Sequence, residues 1–412
     1  MAPIRRKTDL ARHQAITLDN ILDTVAEQAM GFHFGKPKRI DEKALAVILP
    51  ILRDGEIGRD YITYPEVTDN VIVTDSGIIS KVNLENKTDQ KVFIRSGTVF
   101  EGKGTQSRVI TRSAILFAGQ KVSLDARCVH ASHGIHPGSE FGYHGTISLD
   151  IERAVYDAGF KPRDQHVYWN RVGASNSAKR AHSSDAVEAS SRVEELDAIL
   201  ASRLVGEELE GEAEQRSEHL HAVNAPPPRP GRITASPAQT GSGRRSQSRH
   251  TIWGDIFGGT FGRPAAGAMP AADSFVANDT VFTQNLDEIL SKVKLHDNQV
   301  GISLITDRGV ETIELFEVRQ SWSALHKASV KRMGTELIKE EKEDVFEYKP
   351  ERAIEQVTRV LAMDYDANTI YEHKAEGGDR VVITGLTNAS HIGEVVELGG
   401  KVIHLSLLKR AV

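Results

Sequence analysis

Between Gly206 and about Asp273 the sequence changes character so sharply that no single uninterrupted core can run through it. Six glutamates and one arginine lie between Glu207 and Glu218. The stretch then turns rich in proline, serine and glycine, with five arginines and no acid from Arg229 to Arg249. Seven of the chain's fourteen prolines lie between Pro226 and Pro270. Such a segment buries too little apolar surface to offset the entropy of ordering its backbone, and residues 207–275 are read as a disordered tether. One apolar island interrupts it, Thr251-Ile-Trp-Gly-Asp-Ile-Phe-Gly-Gly-Thr-Phe261. Trp253 and Phe257 in that island either dock back onto their own domain or form a short segment that binds a protein partner.

Around the tether the composition is that of a globular protein: 412 residues, 39% apolar and 26% charged, enough for two or three domains or one large one with an insertion. A net charge of -6 gives no basic footprint, which excludes bulk electrostatic capture of nucleic acid. The tether's arginines support at most weak, salt-sensitive contact with nucleic acid or acidic partners. The one cysteine, Cys128, excludes an intramolecular disulfide and any zinc site built from several thiolates. No apolar run is long enough to span a membrane, and Met1-Ala-Pro-Ile-Arg-Arg-Lys7 has no apolar core behind its charges. A cytosolic protein is expected.

The periodicity predicts an α+β fold. Residues 1–44 read as an N-terminal helix and arm, with Thr17 as N-cap, Leu18, Ile21, Leu22 and Val25 on one side, and Gly31 at the end. Residues 45–150 break into short β-rich runs separated by turn residues such as Asp75-Ser-Gly77 and Asn86-Lys-Thr-Asp89, the spacing of a β-sandwich. Residues 151–206 are helical, with Val193, Leu196, Leu200 and Leu204 at helical spacing. The last region, 276–412, is α+β and packs with the helical one. It holds a hairpin through Asp307-Arg-Gly309, helices after Ser321 and Pro350, and a hairpin through Gly399-Gly400.

Gly97-Thr-Val-Phe-Glu-Gly102-Lys103-Gly104-Thr105 approaches a phosphate-binding P-loop, but glycine follows the lysine and the next residues read as strand, so the helix that would complete the cradle is missing. The stretch reads better as a polar loop carrying Glu101 that opens into a strand. There Gln106, Arg108 and Arg112 share parity. They form either a solvated face or a pocket in which the arginines clamp an anion and Gln106 and Glu101 orient a neutral group. Cys128 shares the apolar parity of Val122, Leu124 and Ala126, as a buried core thiol or part of the pocket wall. His130, His133, His136 and His144 put four of sixteen histidines within fifteen residues. The first three could hold a divalent metal with an open position, although their spacing matches no established zinc signature.

The stretches Val82–Thr88, Ser96–Arg108, Ser113–Gln120 and Ala126–Val129 resemble the first class of the ADP-ribosylglycohydrolase- and rhodanese/phosphatase-associated proteins, a prokaryotic family. The features that carry the likeness are Asn86, Gly102 with Gln106 and Arg108, and Cys128-Val129. Looser matches are Trp169-Asn-Arg-Val172, Asn298-Gln-Val-Gly301 and Glu314-Leu-Phe316. The likeness runs from about residue 45 onward, apart from the tether. His130 stands where the family usually has glutamate, and His133-Gly-Ile-His-Pro137 replaces an arginine–tryptophan ending. The resemblance implies a place near the metabolism of ADP-ribose or NAD-derived ligands, or in prokaryotic defence or signalling.

Three functions stay open. One is a cytosolic ligand-binding or sensor protein whose Arg108 and Arg112 hold a phosphate-bearing ligand while the tether recruits a partner. The second is a metal-assisted hydrolase with His130, His133 and His136 as ligands and Glu101 as general base. The third is a non-catalytic scaffold that assembles as a homo-oligomer.

Overall fold

A computed structural model describes residues 16–40, 46–55, 57–103, 105–129, 134–157, 165–181, 275–276, 278–282, 291–337, 350–375 and 378–410. After a short helix α1 (Ile21–Ala26) the chain lays down strands β1 (Phe32–Phe34), β2 (Lys38–Arg39) and β3 (Val47–Arg53). Then come β4 (Tyr61–Thr63), β5 (Val71–Asp75), β6 (Lys81–Asn86), β7 (Lys91–Ile94), β8 (Thr98–Gly102) and β9 (Arg108–Ile110). β10 (Ala114–Leu116), β11 (Lys121–Cys128) and β12 (Phe141–Thr146) lead into helices α2 (Leu149–Asp157) and α3 (Gln165–Ala181). The second half carries β13 (Gln299–Thr306), β14 (Gly309–Phe316), α4 (Arg319–Arg332), α5 (Gly334–Leu337) and α6 (Pro350–Leu361). It closes with β15 (Asp366–Lys374), β16 (Arg380–Thr387), β17 (His391–Leu398) and β18 (Lys401–Lys409).

The mixed α+β class follows. A nine-stranded antiparallel sheet runs β1-β3-β13-β14-β18-β17-β16-β15, with β2 also on β3. Six strands ordered β12-β8-β9-β11-β6-β5 and three ordered β10-β7-β4 make two smaller sheets, and β4 with β7 is the parallel pair. The smaller sheets share an apolar cluster that includes Tyr64, Val82, Ile94, Phe100 and Leu116. Strand β3 reads Val-Ile-Leu-Pro-Ile-Leu-Arg and is buried almost throughout, as a strand covered on both faces must be. It pairs with β13, so the sheet crosses the expected boundary at residue 45 and joins the N-terminal arm to the C-terminal region. Helices α1 and α6 cover one face of the large sheet. α6 presents Ala353, Val357, Val360 and Leu361 to that core, the one-sided spacing of an amphipathic helix.

Both expected hairpins form. β13 and β14 close at Thr306 opposite Gly309, and β17 and β18 close at Leu398 opposite Lys401. Gly399 and Gly400 have φ of 60° and 78°, the left-handed pair that a two-residue type I′ turn requires. The N-terminal helix begins later than expected. Thr17 makes the preceding turn, accepting from the Ile21 N–H at its carbonyl, and the N-cap position falls to Asn20. Phe275, the last residue assigned to the tether, is fully buried in the main core. The rest of the tether and the Val193–Leu204 repeat lie outside the described residues. Among the described residues no helix is long and apolar enough to cross a membrane.

Candidate functional site

The polar segment after β8 folds back tightly. A Cβ on Gly102 would stand 1.9 Å from the Thr105 carbonyl oxygen, so only glycine allows the chain to turn there and enter β9 as strand. No helix follows, and the near-match to a P-loop is a β-hairpin. Glu101 was expected on a loop but lies on β8, opposite Gly142 of β12. Strand alternation then separates it from Arg108, whose neighbour across the ladder is Phe100.

Arg108 is fully enclosed. Its Nη1 donates to the Gln106 carbonyl at 2.9 Å and to Gln106 Oε1 at 3.1 Å, so these two expected site residues do meet. The nearest carboxylate, Asp75, stands 3.7 Å from Nη2 and is already engaged. Its Oδ1 accepts the Gly77 N–H and its Oδ2 accepts the Thr105 hydroxyl. Among the described residues, Nε and Nη2 of Arg108 have no hydrogen-bond partner. These are adjacent nitrogens on one edge of the guanidinium, the edge that pairs bidentately with an oxyanion. The Gln106 N–H donates to the Gly134 carbonyl, and the His136 N–H to Thr105 Oγ1, which ties residues 134–136 to this group.

Arg112 does not join it. β9 ends at Ile110, the shared parity ends with it, and Arg112 instead stacks 4.1 Å above the Tyr371 ring of β15. Cys128 is a wholly buried core thiol, and its carbonyl accepts from Gln165 Nε2 and Trp169 Nε1. His130, His133, Trp253 and Phe257 lie outside the described residues. Among the described residues no group of three or more histidine, cysteine or acidic side chains is placed to hold a metal.

Two charged clusters escaped the sequence reading. In the first, Glu101 faces the histidine of β12: His144 Nδ1 lies 3.9 Å from Glu101 Oε2, and His144 Nε2 lies 3.1 Å from Asp279 Oδ2. Lys179 and Lys331 each reach Asp279 at 2.8 Å. Burial alone would raise the Asp279 pKa, but the two ammonium groups hold it well below the usual carboxylate range. His144 therefore stands between Glu101 and Asp279, and the two lysines belong to Asp279.

The second cluster is completely buried. Arg95 Nε donates to Glu314 at 2.5 Å and its Nη2 to Glu152 at 2.9 Å, while Arg332 bonds the other oxygen of each of those glutamates. His404 Nε2 lies 3.4 Å from Glu314. Burial opposes ionisation of Glu314, and Arg332 and Arg95 reverse that, leaving its pKa well below the ordinary value. Thr312 and Glu314 alternate with Ile313 and Leu315 along β14 as on a half-solvated strand, yet both are fully buried, with Arg332 of α4 set against them. No local spacing relates Glu314 to Arg95 or Glu152, so the sequence held no signal for the cluster. Its charges are spent on one another, and it joins layers rather than holding a ligand.

The resemblance residue Asn86 is likewise structural. Its buried Nδ2 donates to the carbonyls of Gln90, Leu116 and Phe117 and clamps the turns beside β7 and β10. Fold and site together define an α+β protein of largely antiparallel sheets with an enclosed arginine held beside Gln106 and Asp75. The profile of the ARG and Rhodanese-Phosphatase-superfamily-associated Protein domain, ARPP-1, matches residues 31–223 and again 215–408. The chain belongs to this family. The two matched stretches share one sheet, because β3 of the first pairs with β13 of the second. No curated protein and no solved structure matches the chain.

Proposed function

We propose that this chain is a ligand-binding protein that takes up an anionic, phosphate-bearing ligand of the ADP-ribose or nucleotide class at Arg108. The observation that carries the reading is the guanidinium edge of Arg108, buried and, among the described residues, unbonded at both Nε and Nη2. Leaving buried donors unmade costs about 1–3 kcal/mol each, and one phosphate group satisfies both. Gln106, whose Oε1 accepts from Arg108, extends a polar edge beside it. The family's association with ARG proteins fits the same ligand class.

Calorimetry of the full chain with ADP-ribose and AMP tests this. Saturable binding is expected, and Arg108→Lys, which keeps the charge and loses the bidentate edge, should weaken it by at least tenfold, on the order of one charged hydrogen bond. Equal affinity in the variant, with its fold verified by circular dichroism, overturns the reading. Native mass spectrometry before and after chelator adds a second arm. A metal-sized mass excess lost to chelator would replace this reading with the hydrolase built on His130, His133 and His136.

A further inference from the structure

The large sheet ends on a strand that is open to pairing. β15 closes one end of the strand order, bonded to β16, and among the described residues nothing pairs with its outer edge. Such an edge presents a row of backbone N–H and C=O groups, and chains normally blunt it by keeping it short or by setting proline or lysine along it. The opposite end of the sheet follows that rule, with β1 and β2 only three and two residues long. β15 does not. It runs for nine residues, and its middle, Ala367-Asn-Thr-Ile-Tyr371, holds no charge, proline or glycine. Its first four residues are all exposed, so neither face of that stretch is covered.

The charges on the strand select what fits it. Glu372 is neutralised within the chain by Arg380 of β16 at 2.8 Å. That leaves Asp366 at the start and Lys374 at the end, both exposed and without an ion-pair partner among the described residues. A second β15 running antiparallel brings each acid beside the other copy's lysine, whereas a parallel copy sets acid on acid and lysine on lysine. The bulge obeys the same symmetry. The register shift between Thr369 and Tyr371 puts the extra residue, Ile370, at the midpoint, with four paired residues on either side. A two-fold axis there pairs Asp366–Thr369 of each copy with Tyr371–Lys374 of the other. One face of this edge also carries a row of rings. Arg112 stacks 4.1 Å above Tyr371, Tyr371 stacks on His373 with centroids 6.4 Å apart, and Phe117 meets His373 at 5.8 Å. These side chains are half-buried at the sheet margin, and the same axis sets them beside their own copies.

We infer that a second copy of this chain docks on β15, edge to edge and antiparallel, so that the two large sheets continue as one across a two-fold axis at Ile370. The interface shares no residue with the Arg108 group and stands or falls separately from the function proposed there.

Sedimentation velocity of the full chain over a concentration series, with amide hydrogen exchange read along β15, tests the assignment. A concentration-dependent dimer is expected, its β15 amides protected and exchanging faster on dilution to monomer. Asp366→Lys and Lys374→Asp each set like charges together twice across the axis, and each should weaken the dimer at least tenfold. Both side chains are exposed, so neither change disturbs the core. Mixing the two single variants restores both ion pairs, and a heterodimer tighter than either homodimer should form. The double variant should dimerise like the parent. A chain that stays monomeric overturns the inference, as does a dimer indifferent to the single variants or a pair of variants that does not recover on mixing. A monomer with protected β15 amides overturns it too, and places a segment of the chain itself, such as Thr251–Phe261, on the strand.

Discussion

Glu314 is held by two guanidinium groups and a histidine with no exposure to water, and every partner comes from a different element. Removing one member of such a group strands the others. Glu314→Gln should therefore cost about 3–5 kcal/mol, read as a lowered urea midpoint with an unchanged slope. Buried titratable groups set the acid sensitivity. Burial lowers the pKa of both His391 and His326 below 6.5, so from that value downward the unfolded chain binds more protons than the folded one. Stability should fall as the pH drops below about 6.5, until these folded-state values are passed. Glu314 and Asp279 have folded pKa values depressed well below their unfolded ones. Their contribution is fully present above about pH 4 and is lost as the pH falls toward those depressed values. Urea midpoints across pH 3 to 8 should show both declines, and His391→Gln should shrink only the upper one. Cys128 was legible at this scale, because strand parity alone places it in the core. Arg112 was not, because parity says nothing about where a strand stops.

At the scale of elements, the C-terminal hairpin shows local chemistry deciding structure. Gly399 and Gly400 both occupy the left-handed region, so Gly400→Val should cost about 1–2 kcal/mol, while Gly399→Asn should be nearly neutral in the thermal midpoint. Gly393 of β17 presents a different constraint: a Cβ there would lie 1.9 Å from the Ser406 carbonyl of β18. Gly393→Ala should therefore open the β17–β18 ladder, seen as faster amide exchange along both strands. The turn was readable because two glycines signal a type I′ hairpin, whereas the close approach at Gly393 depends on a partner strand. The edge strand β15 also escaped the reading. Asp366-Ala-Asn-Thr-Ile-Tyr-Glu-His-Lys374 is exposed along most of its length and takes its strand form from pairing with β16.

For the molecule as a whole, the consequential contact is the pairing of β3 with β13, which ties the two family-matched stretches into one sheet. Residues 31–223 alone would leave the buried strand β3 without its central neighbour. That fragment should show no cooperative urea transition, and mixing it with residues 275–408 should restore one. Independent two-state unfolding of either piece would contradict a shared core. The sequence by itself determined the α+β class, the two glycine and Asp-Arg-Gly hairpins, the helices after Ser321 and Pro350, and the meeting of Gln106 with Arg108. Each of these depends on periodicity or turn chemistry within about a dozen residues. Tertiary structure alone decided that β3 joins the distant β13, that Glu314 and Glu152 lie inside with Arg95 and Arg332, and that Arg112 leaves Arg108 for Tyr371. It also decided that Arg53 and Arg59 both reach the start of α4, through the Glu317 carbonyl and the Ser321 hydroxyl. Burial and charge pairing across hundreds of residues are set by which surfaces are covered, and no local spacing records that.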